Sequence, residues 1–408
     1  MFQFFSRLIL KLNIAQMFVL ALILRVILMP ISGHWDLTSL HQVANHFFTE
    51  GPLSFYYTDI AIYPPLTYLT LAVWQVIIKP FVAADFTRWL NDPIMLEFYN
   101  EHVHRYFFLL KLMFIPFELG TAYLLSKFYV EEKTKKIITA VWLFNPVVLY
   151  VVYLWGTIDI IPTFFTVLGM YLLLVKRNKI GFVMFGIGSL YKIWPLLLLP
   201  FAAVLYSTRT NEKVKNCLWG ILPFFLIIAP YLRIPNFRSF VLASDRISLI
   251  GNAGLYIGFL QWLLIYLLLY IFYFLWVNKY RSGKFAEIFD HGFLVLIFFY
   301  ITSAFTPQWF IWLLPFLLYQ LIKYRSLRPL FFLVLGGYFL VILTFDITLS
   351  LGLFAPFEPT LWQTPFVKEI VERMFKDGNR IWSMFRTVNS AFLLWFVYEW
   401  YQLKKKNA

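Results

Sequence analysis

Residues 133–179 read KTKKIITAVWLFNPVVLYVVYLWGTIDIIPTFFTVLGMYLLLVKRNK. Two apolar runs, 137–155 and 160–175, meet at the short polar turn 156–159, and a basic cluster stands at each outer end. A bilayer core of about 30 Å takes roughly 20 apolar residues per helix, so this pattern predicts two membrane helices whose basic ends share one side. Working outward, comparable runs lie at 14–31, 63–82, 105–126, 180–206, 216–232, 255–277, 291–303, 308–322, 329–348 and 387–403. The fold class expected is all-α: a polytopic integral membrane protein of about 10–12 transmembrane or re-entrant helices in one multispanning domain, 1–408.

Composition agrees with that reading. Of 408 residues, 61% are hydrophobic and 14% charged, more apolar side chain than a soluble domain of this size can bury. A cytosolic enzyme, a disulfide scaffold and a disordered chain are excluded. The formal charge of +14 is spread in short basic clusters between apolar runs, which orients a membrane protein and does not call for nucleic acid. The single cysteine, Cys217, can build neither a disulfide within the chain nor a thiol metal site. The first run carries Arg25 and has no small-residue cleavage site, so it is expected to remain as a helix.

Lys and Arg counts set the orientation. The segments 127–136, 176–179, 207–215, 279–284 and 323–328, with both termini, hold 21 of the 35 and are expected in the cytoplasm. Segments 32–62, 156–159 and 304–307 hold none and are expected outside. For the signs to alternate, 63–82, which begins Tyr63-Pro64-Pro65, must dip in from outside and return. Segment 180–206 joins two basic loops and contains Gly181, Gly186, Gly188 and Pro195, so it reads as two half-helices. A second external loop is expected at 349–386.

An ionisable residue inside an apolar run is a functional candidate, because it needs a partner or water. Arg25, Lys111, Glu118, Asp159, Lys192, Asp346 and Glu399 qualify. Glu399, beside the terminal lysines, reads as interfacial, and Lys111 and Glu118 share a helix face as structural or substrate groups. Arg25, Asp159 and Lys192 are expected in or beside a cavity. The loop 32–62 holds Asp36, Glu50 and Asp59, three histidines and no basic residue. Its histidine spacing matches no metal motif.

The order of landmarks resembles the GT-C superfamily of glycosyltransferases. The elements are GHWD ending at Asp36, Thr49-Glu50-Gly51, YPPLTY at 63–68, WLFNP at 142–146, WGTID at 155–159, LYKIWPLLLLP at 190–200 and FTPQWFIWLLPF at 305–316. Two branches share these features: the mannosyltransferase that begins the glycosylphosphatidylinositol glycan, and the dolichyl-phosphate-glucose glucosyltransferases. The first carries two acids separated by one residue in its first loop, where this chain has His34 and Asp36. The second carries an acid directly before its YPP, whereas Asp59 stands four residues before Tyr63.

The resemblance implies transfer of a hexose, mannose or glucose, from a polyprenyl-phosphate-linked donor to a glycan or lipid-linked acceptor on the extracytoplasmic face. A carboxylate acting directly as base would invert the anomeric centre in one displacement. No cofactor is expected, no metal site is read from the histidine spacing, and metal dependence stays open. Asp36 is the implied general base. His34, Asp59, Tyr63, Asp159, Lys192 and Gln308 are the implied substrate-binding residues, Lys192 having the alternative of neutralising Asp159. Arg105, Arg246 and Arg380 are candidates for the phosphate, because guanidinium pairs with its oxygens. A prokaryotic cell membrane is the expected location, with membrane lipid as surroundings and no nucleic-acid partner. The main rival is a secondary transporter or flippase for a lipid-linked sugar, which also uses broken helices and buried charge. A scaffold that keeps the fold without chemistry is a further alternative.

Overall fold

The computed structural model describes residues 11–92, 96–243, 253–258, 261–281, 284–304, 306–375 and 378–407. It is almost wholly helical. The only strands among the described residues are β1 (Gly254–Gly258) and β2 (Gln261–Leu264), an antiparallel hairpin. Helix α1 (Ile14–Leu28) starts at Asn13, whose Oδ1 accepts from Gln16 N–H at 2.8 Å while Gln16 Oε1 accepts from Asn13 N–H at 2.9 Å. This reciprocal cap satisfies donors that the first helical turn leaves open. Next come α2 (Trp35–Asn45), α3 (Pro65–Ile78), and the bent pair α4 (Val103–Leu112) and α5 (Ile115–Lys127). Helix α6 (Glu132–Leu143) continues through Asn145, Pro146 and a π turn at Leu149–Trp155.

Helices α7 (Ile160–Leu174), α8 (Asn178–Ser189) and α9 (Pro195–Tyr206) decide how the site is held. They span only about 22, 18 and 18 Å at 1.5 Å per residue. A methyl group on Gly186 would lie 2.1 Å from the Gly220 carbonyl oxygen, and one on Gly220 would lie 2.4 Å from Leu199. Residues of α8 and α9 therefore touch α10 (Thr210–Ile228) at the same place, and the chain doubles back between them. The outer ends agree, since Phe182 packs edge-on against Tyr206 at 5.7 Å and the Tyr206 hydroxyl bonds Asn178. The two half-helices expected from the sequence form a helical hairpin, with Leu190–Trp194 at its tip.

Beyond the β-hairpin, α11 (Ile265–Tyr280), α12 (Ile288–Thr302), α13 (Phe310–Lys323) and α14 (Arg328–Ile342) pack as a second group, followed by the short α15 (Val367–Met374) and the long α16 (Gly378–Lys406). Helix α16 begins inside the segment expected as the loop 349–386, because its polar first turns are helical ahead of its apolar run.

Among the described residues, four helical stretches are long and apolar enough to cross a membrane: Glu132–Trp155, Thr210–Arg233, Phe285–Thr302 and Arg325–Ile342. The α4–α5 pair, bent by 40°, would make a fifth. Other apolar runs of the sequence fold as pieces of 10–17 residues. Prolines and glycines at 64–65, 146, 156, 195 and 307 interrupt helices that composition alone would draw as continuous.

The two ends of the molecule differ in their residues. Lys176 lies over the Tyr206 ring, Arg281 donates to the carbonyls of Val204 and Ser207 at 2.8 and 2.9 Å, and Lys404 Nζ is 2.6 Å from Asp290 Oδ2. Phe128 meets Phe289 at 4.8 Å. These contacts gather the basic loops at one end. The WGTID turn, the hairpin tip and Asp36 lie at the other.

Candidate active site

Asp36 sits in the first turn of α2. His34 is the residue before that helix, and its Nδ1 accepts from Asp36 N–H at 3.0 Å. The carboxylate oxygen Oδ2 accepts from Trp155 Nε1–H at 3.1 Å. His34 Nδ1 lies 3.6 Å from the same oxygen, and the carboxylate side chain is 36% exposed. The other oxygen, Oδ1, has no partner among the described residues. Because Nδ1 is an acceptor, the ring proton is assigned to Nε2, which is buried and unpartnered among the described residues. The imidazole is stacked on Trp35 with centroids 5.0 Å apart and tilted against Trp155 at 5.5 Å. Burial holds the His34 pKa below the ordinary imidazole value, against the pull of Asp36 and Asp346. Asp346, in the segment after α14, is thus within electrostatic range of His34.

His34 is therefore a helix cap. His34→Ala should lower stability by about 1 kcal/mol through loss of that cap, and His34→Asn should recover part of it by supplying another acceptor. Thermal unfolding in detergent of the two variants beside the parent checks this.

The second group hangs from the other end of the WGTID turn. Gly156 has φ +88°, and its N–H and that of Thr157 both bond the Val151 carbonyl, at 3.3 and 3.1 Å. A side chain there is strained by the left-handed backbone and would also meet Leu37 at 3.0 Å. The turn places Asp159 against the hairpin tip, where Lys192 Nζ is 2.8 Å from both carboxylate oxygens. Trp312 Nε1 donates to Asp159 Oδ1 at 2.7 Å. Lys192 also lies over the rings of Tyr63, at 4.9 Å, and Trp312, at 5.6 Å. The YPPLTY segment is fixed to the tip through Thr67, whose hydroxyl donates to the Tyr191 carbonyl at 3.3 Å. Trp194 stacks on Trp312 at 5.3 Å, and Trp309 does so at 5.1 Å. Around this pair, Thr157 Oγ1, Trp194 Nε1 and Gln308 Oε1 are buried without partners among the described residues.

Tyr63, Asp159 and Lys192 are thus brought together, with Gln308 one residue from the tryptophan stack. Lys192 reaches the Asp36 end of the molecule because its hairpin does, and both Asp159 oxygens take up its charge. Trp155 and Trp312 were quoted in sequence motifs without a role. Their indole N–H groups aim the two carboxylates.

The remaining buried charges are structural supports. Arg25 forms two bonds with Glu118, Nε to Oε2 at 2.9 Å and Nη2 to Oε1 at 3.0 Å, and also donates to the Leu143 carbonyl at 2.7 Å. Lys111 is held by uncharged oxygens: the carbonyls of Ser32 and Tyr153 lie at 2.6 and 2.7 Å, and the Ser32 hydroxyl at 3.0 Å. It ties the chain after α1 to the end of the π turn, below Asp36.

Of the phosphate candidates, Arg105 is exposed at the start of α4. Its neighbour His104 has Nδ1 2.8 Å from the Pro30 carbonyl, which ties that turn to the chain entering Asp36. Arg246 lies outside the described residues. Arg380 is exposed on α16 and borders a shallow pocket with Ser383, Met384, Thr387 and Val388 of the same helix. Asp59 is exposed, and no described contact joins it to Asp36.

Glu97 lies between α3 and α4. Its carboxyl is buried beside Thr38 of α2, and Oε1 has no partner among the described residues. Burial pushes its pKa from 4.5 to about 8, against the lowering effect of Thr38. A carboxyl raised in the folded state contributes stability that is complete below pH 4.5 and lost as pH rises through about 8. Glu97→Gln is expected to flatten that part of the stability–pH curve, measured by melting between the two limits.

An apolar cleft of about 640 Å³ adjoins the site. Its walls include Tyr150, Leu154, Phe339, Leu343, Leu353 and Phe366. Two links join it to Asp36. Leu154 precedes Trp155, whose ring is 6.1 Å from Tyr150, and Gly33 N–H donates to the Leu353 carbonyl at 2.8 Å. A methyl group on Gly336 would meet open space, so the cleft is open along α14. No family model matches the chain, and neither a curated protein nor a solved structure matches it.

Proposed function

We propose that the chain is a membrane glycosyltransferase of the GT-C type, moving a hexose, mannose or glucose, from a polyprenyl-phosphate carrier to an acceptor hydroxyl on the extracytoplasmic side of a prokaryotic cell membrane. One observation carries the reading: a partly exposed carboxylate, aimed by an indole N–H, is linked through Trp155 and Gly33 to the walls of an apolar cleft. Such a site accommodates a donor with a lipid tail and a water-exposed acceptor together.

In the proposed reaction the acceptor oxygen attacks the anomeric carbon, and the bond from that carbon to the phosphate oxygen breaks with its electron pair leaving on the phosphate. Asp36 Oδ1 takes the hydroxyl proton. Attack opposite the leaving group inverts the anomeric centre. Arg105, exposed near the turn that leads into Asp36, supplies positive charge for the departing phosphate. Asp159 and Lys192 neutralise one another, so their role is to hold the tryptophan stack and Tyr63 in place.

The test is a donor screen with the purified chain in liposomes, offering polyprenyl-phosphate mannose, glucose and arabinose and reading products by mass spectrometry. Formation of a hexoside from the first or second supports the proposal, and absence of any glycosidic product with all three defeats it. The helical hairpin tipped by an ion pair favours a second reading, transport of a lipid-linked sugar. That alternative moves solute across the same liposomes without making a new bond.

A further inference from the structure

Helix α15, VKEIVERM, has no buried residue. Its apolar side chains Val367, Ile370, Val371 and Met374 recur at the i, i+3, i+4, i+7 positions of one helical face. Lys368, Glu369, Glu372 and Arg373 occupy the opposite face, so its charges cancel. The apolar face is open: Ile370 is 47% and Met374 71% exposed, and Phe375 just beyond is 51% exposed. The helix start is fixed by Glu369 Oε2, which accepts from Phe366 N–H at 2.7 Å. Phe366 is itself buried as a wall of the apolar cleft. After its last turn the chain leads into α16, whose outward side chains Met384, Val388, Leu394 and Trp395 are exposed and apolar.

We propose that α15 is a membrane-surface helix, lying in the plane of the bilayer with Ile370 and Met374 in the acyl region and its four charges in the headgroup layer. Continuity identifies the occupant. Phe366, at the start of α15, is a wall of the apolar cleft, and α16, which follows in the chain, also presents exposed apolar side chains, so lipid is the one surrounding that suits all three. The balanced polar face makes the seating depend on apolar area and not on anionic lipid. Because Phe366 joins this helix to the cleft wall, the seat of α15 sets the width of the cleft mouth through which a lipid tail passes. This last consequence rests on the proposed use of the cleft, whereas the seating does not.

The experiment uses the full chain with Cys217 replaced by alanine, carrying one nitroxide at Met374→Cys or at Glu372→Cys, in vesicles of phosphatidylcholine alone or with phosphatidylglycerol. Collision with oxygen, which concentrates in lipid, is compared with collision with a water-soluble nickel chelate. Oxygen is expected to dominate at position 374 and the chelate at 372, equally in both vesicles. The chelate dominating at both positions, or lipid contact appearing only with phosphatidylglycerol, overturns the proposal.

Ile370→Glu should raise the chelate signal at 374 about tenfold, since one apolar side chain of this size accounts for a change of that order in partition. With transfer as a second readout, the same variant should slow a long-tailed donor and spare a short-chain one. A chain that transfers no sugar but shows the alternating accessibility defeats the proposed function alone. A chain that transfers sugar without that alternation defeats the membrane seating alone.

Discussion

Asp36→Asn is expected to lower sugar transfer by about 10²–10⁴-fold, the range lost with a positioned general base, while leaving thermal unfolding close to that of the parent. The two outcomes are separable because the carboxylate has two different surroundings. Oδ2 accepts the Trp155 indole proton, and the amide oxygen of Asn can do the same at the same place. Oδ1 is the atom assigned to the acceptor proton, and in Asn an NH₂ group stands there that can accept none. Carrier binding, measured by protection of the chain against unfolding as polyprenyl phosphate is added, should persist in the variant. An Asn variant that transfers sugar at the parental rate would remove Asp36 from the chemistry. Trp155→Phe is the companion change. It deletes the aiming hydrogen bond and keeps the ring that packs on His34, so it should reduce kcat more than it alters KM.

The largest effect on stability is expected at Arg25. Breaking a buried ion pair by removing one partner costs about 3–5 kcal/mol, because the survivor stays buried with its charge uncompensated. Both side chains are wholly buried, and the Tyr153 hydroxyl adds a bond to Glu118 at 3.0 Å. Arg25→Met strands the Glu118 carboxylate and the Leu143 carbonyl in one step. Combining Arg25→Met with Glu118→Leu should restore most of the loss, since two apolar groups replace two charges and only the carbonyl and the tyrosine hydroxyl remain unpaired. Thermal melting of the single and double variants in one detergent decides the matter. If the single change melts with the parent, Arg25 does not support the bundle in this way.

The same residues mark where sequence reasoning succeeds and where it stops. The α8–α9 hairpin was legible because glycines and a proline stand between two basic clusters, and a segment that starts and ends on one side must turn within. Asp159 and Lys192 were legible as a pair for a similar reason, since each is a lone charge in an apolar run and each seeks the other. The partner of Arg25 was not legible. Glu118 is 93 positions away, and sequence proximity had placed it with Lys111 on a helix face. Which helix faces which is set by packing among the helices, and no local pattern records it. The bond between Trp155 and Asp36, 119 positions apart, is hidden in the same way, although both belong to motifs that had been singled out. Asp36 could be named from its motif, but not the indole that aims it or the cap that starts its helix.

The doubling back of α8 and α9 carries a consequence for the rest of the chain. A segment that leaves by the face through which it came adds nothing to the parity of crossings, so every helix after Tyr206 would point the same way if residues 178–206 were excised as one cassette. Such a deletion would cost the molecule Lys192 and the floor beneath Tyr63 while leaving the handedness of insertion untouched. Reporter fusions placed downstream would read the same compartment with and without it.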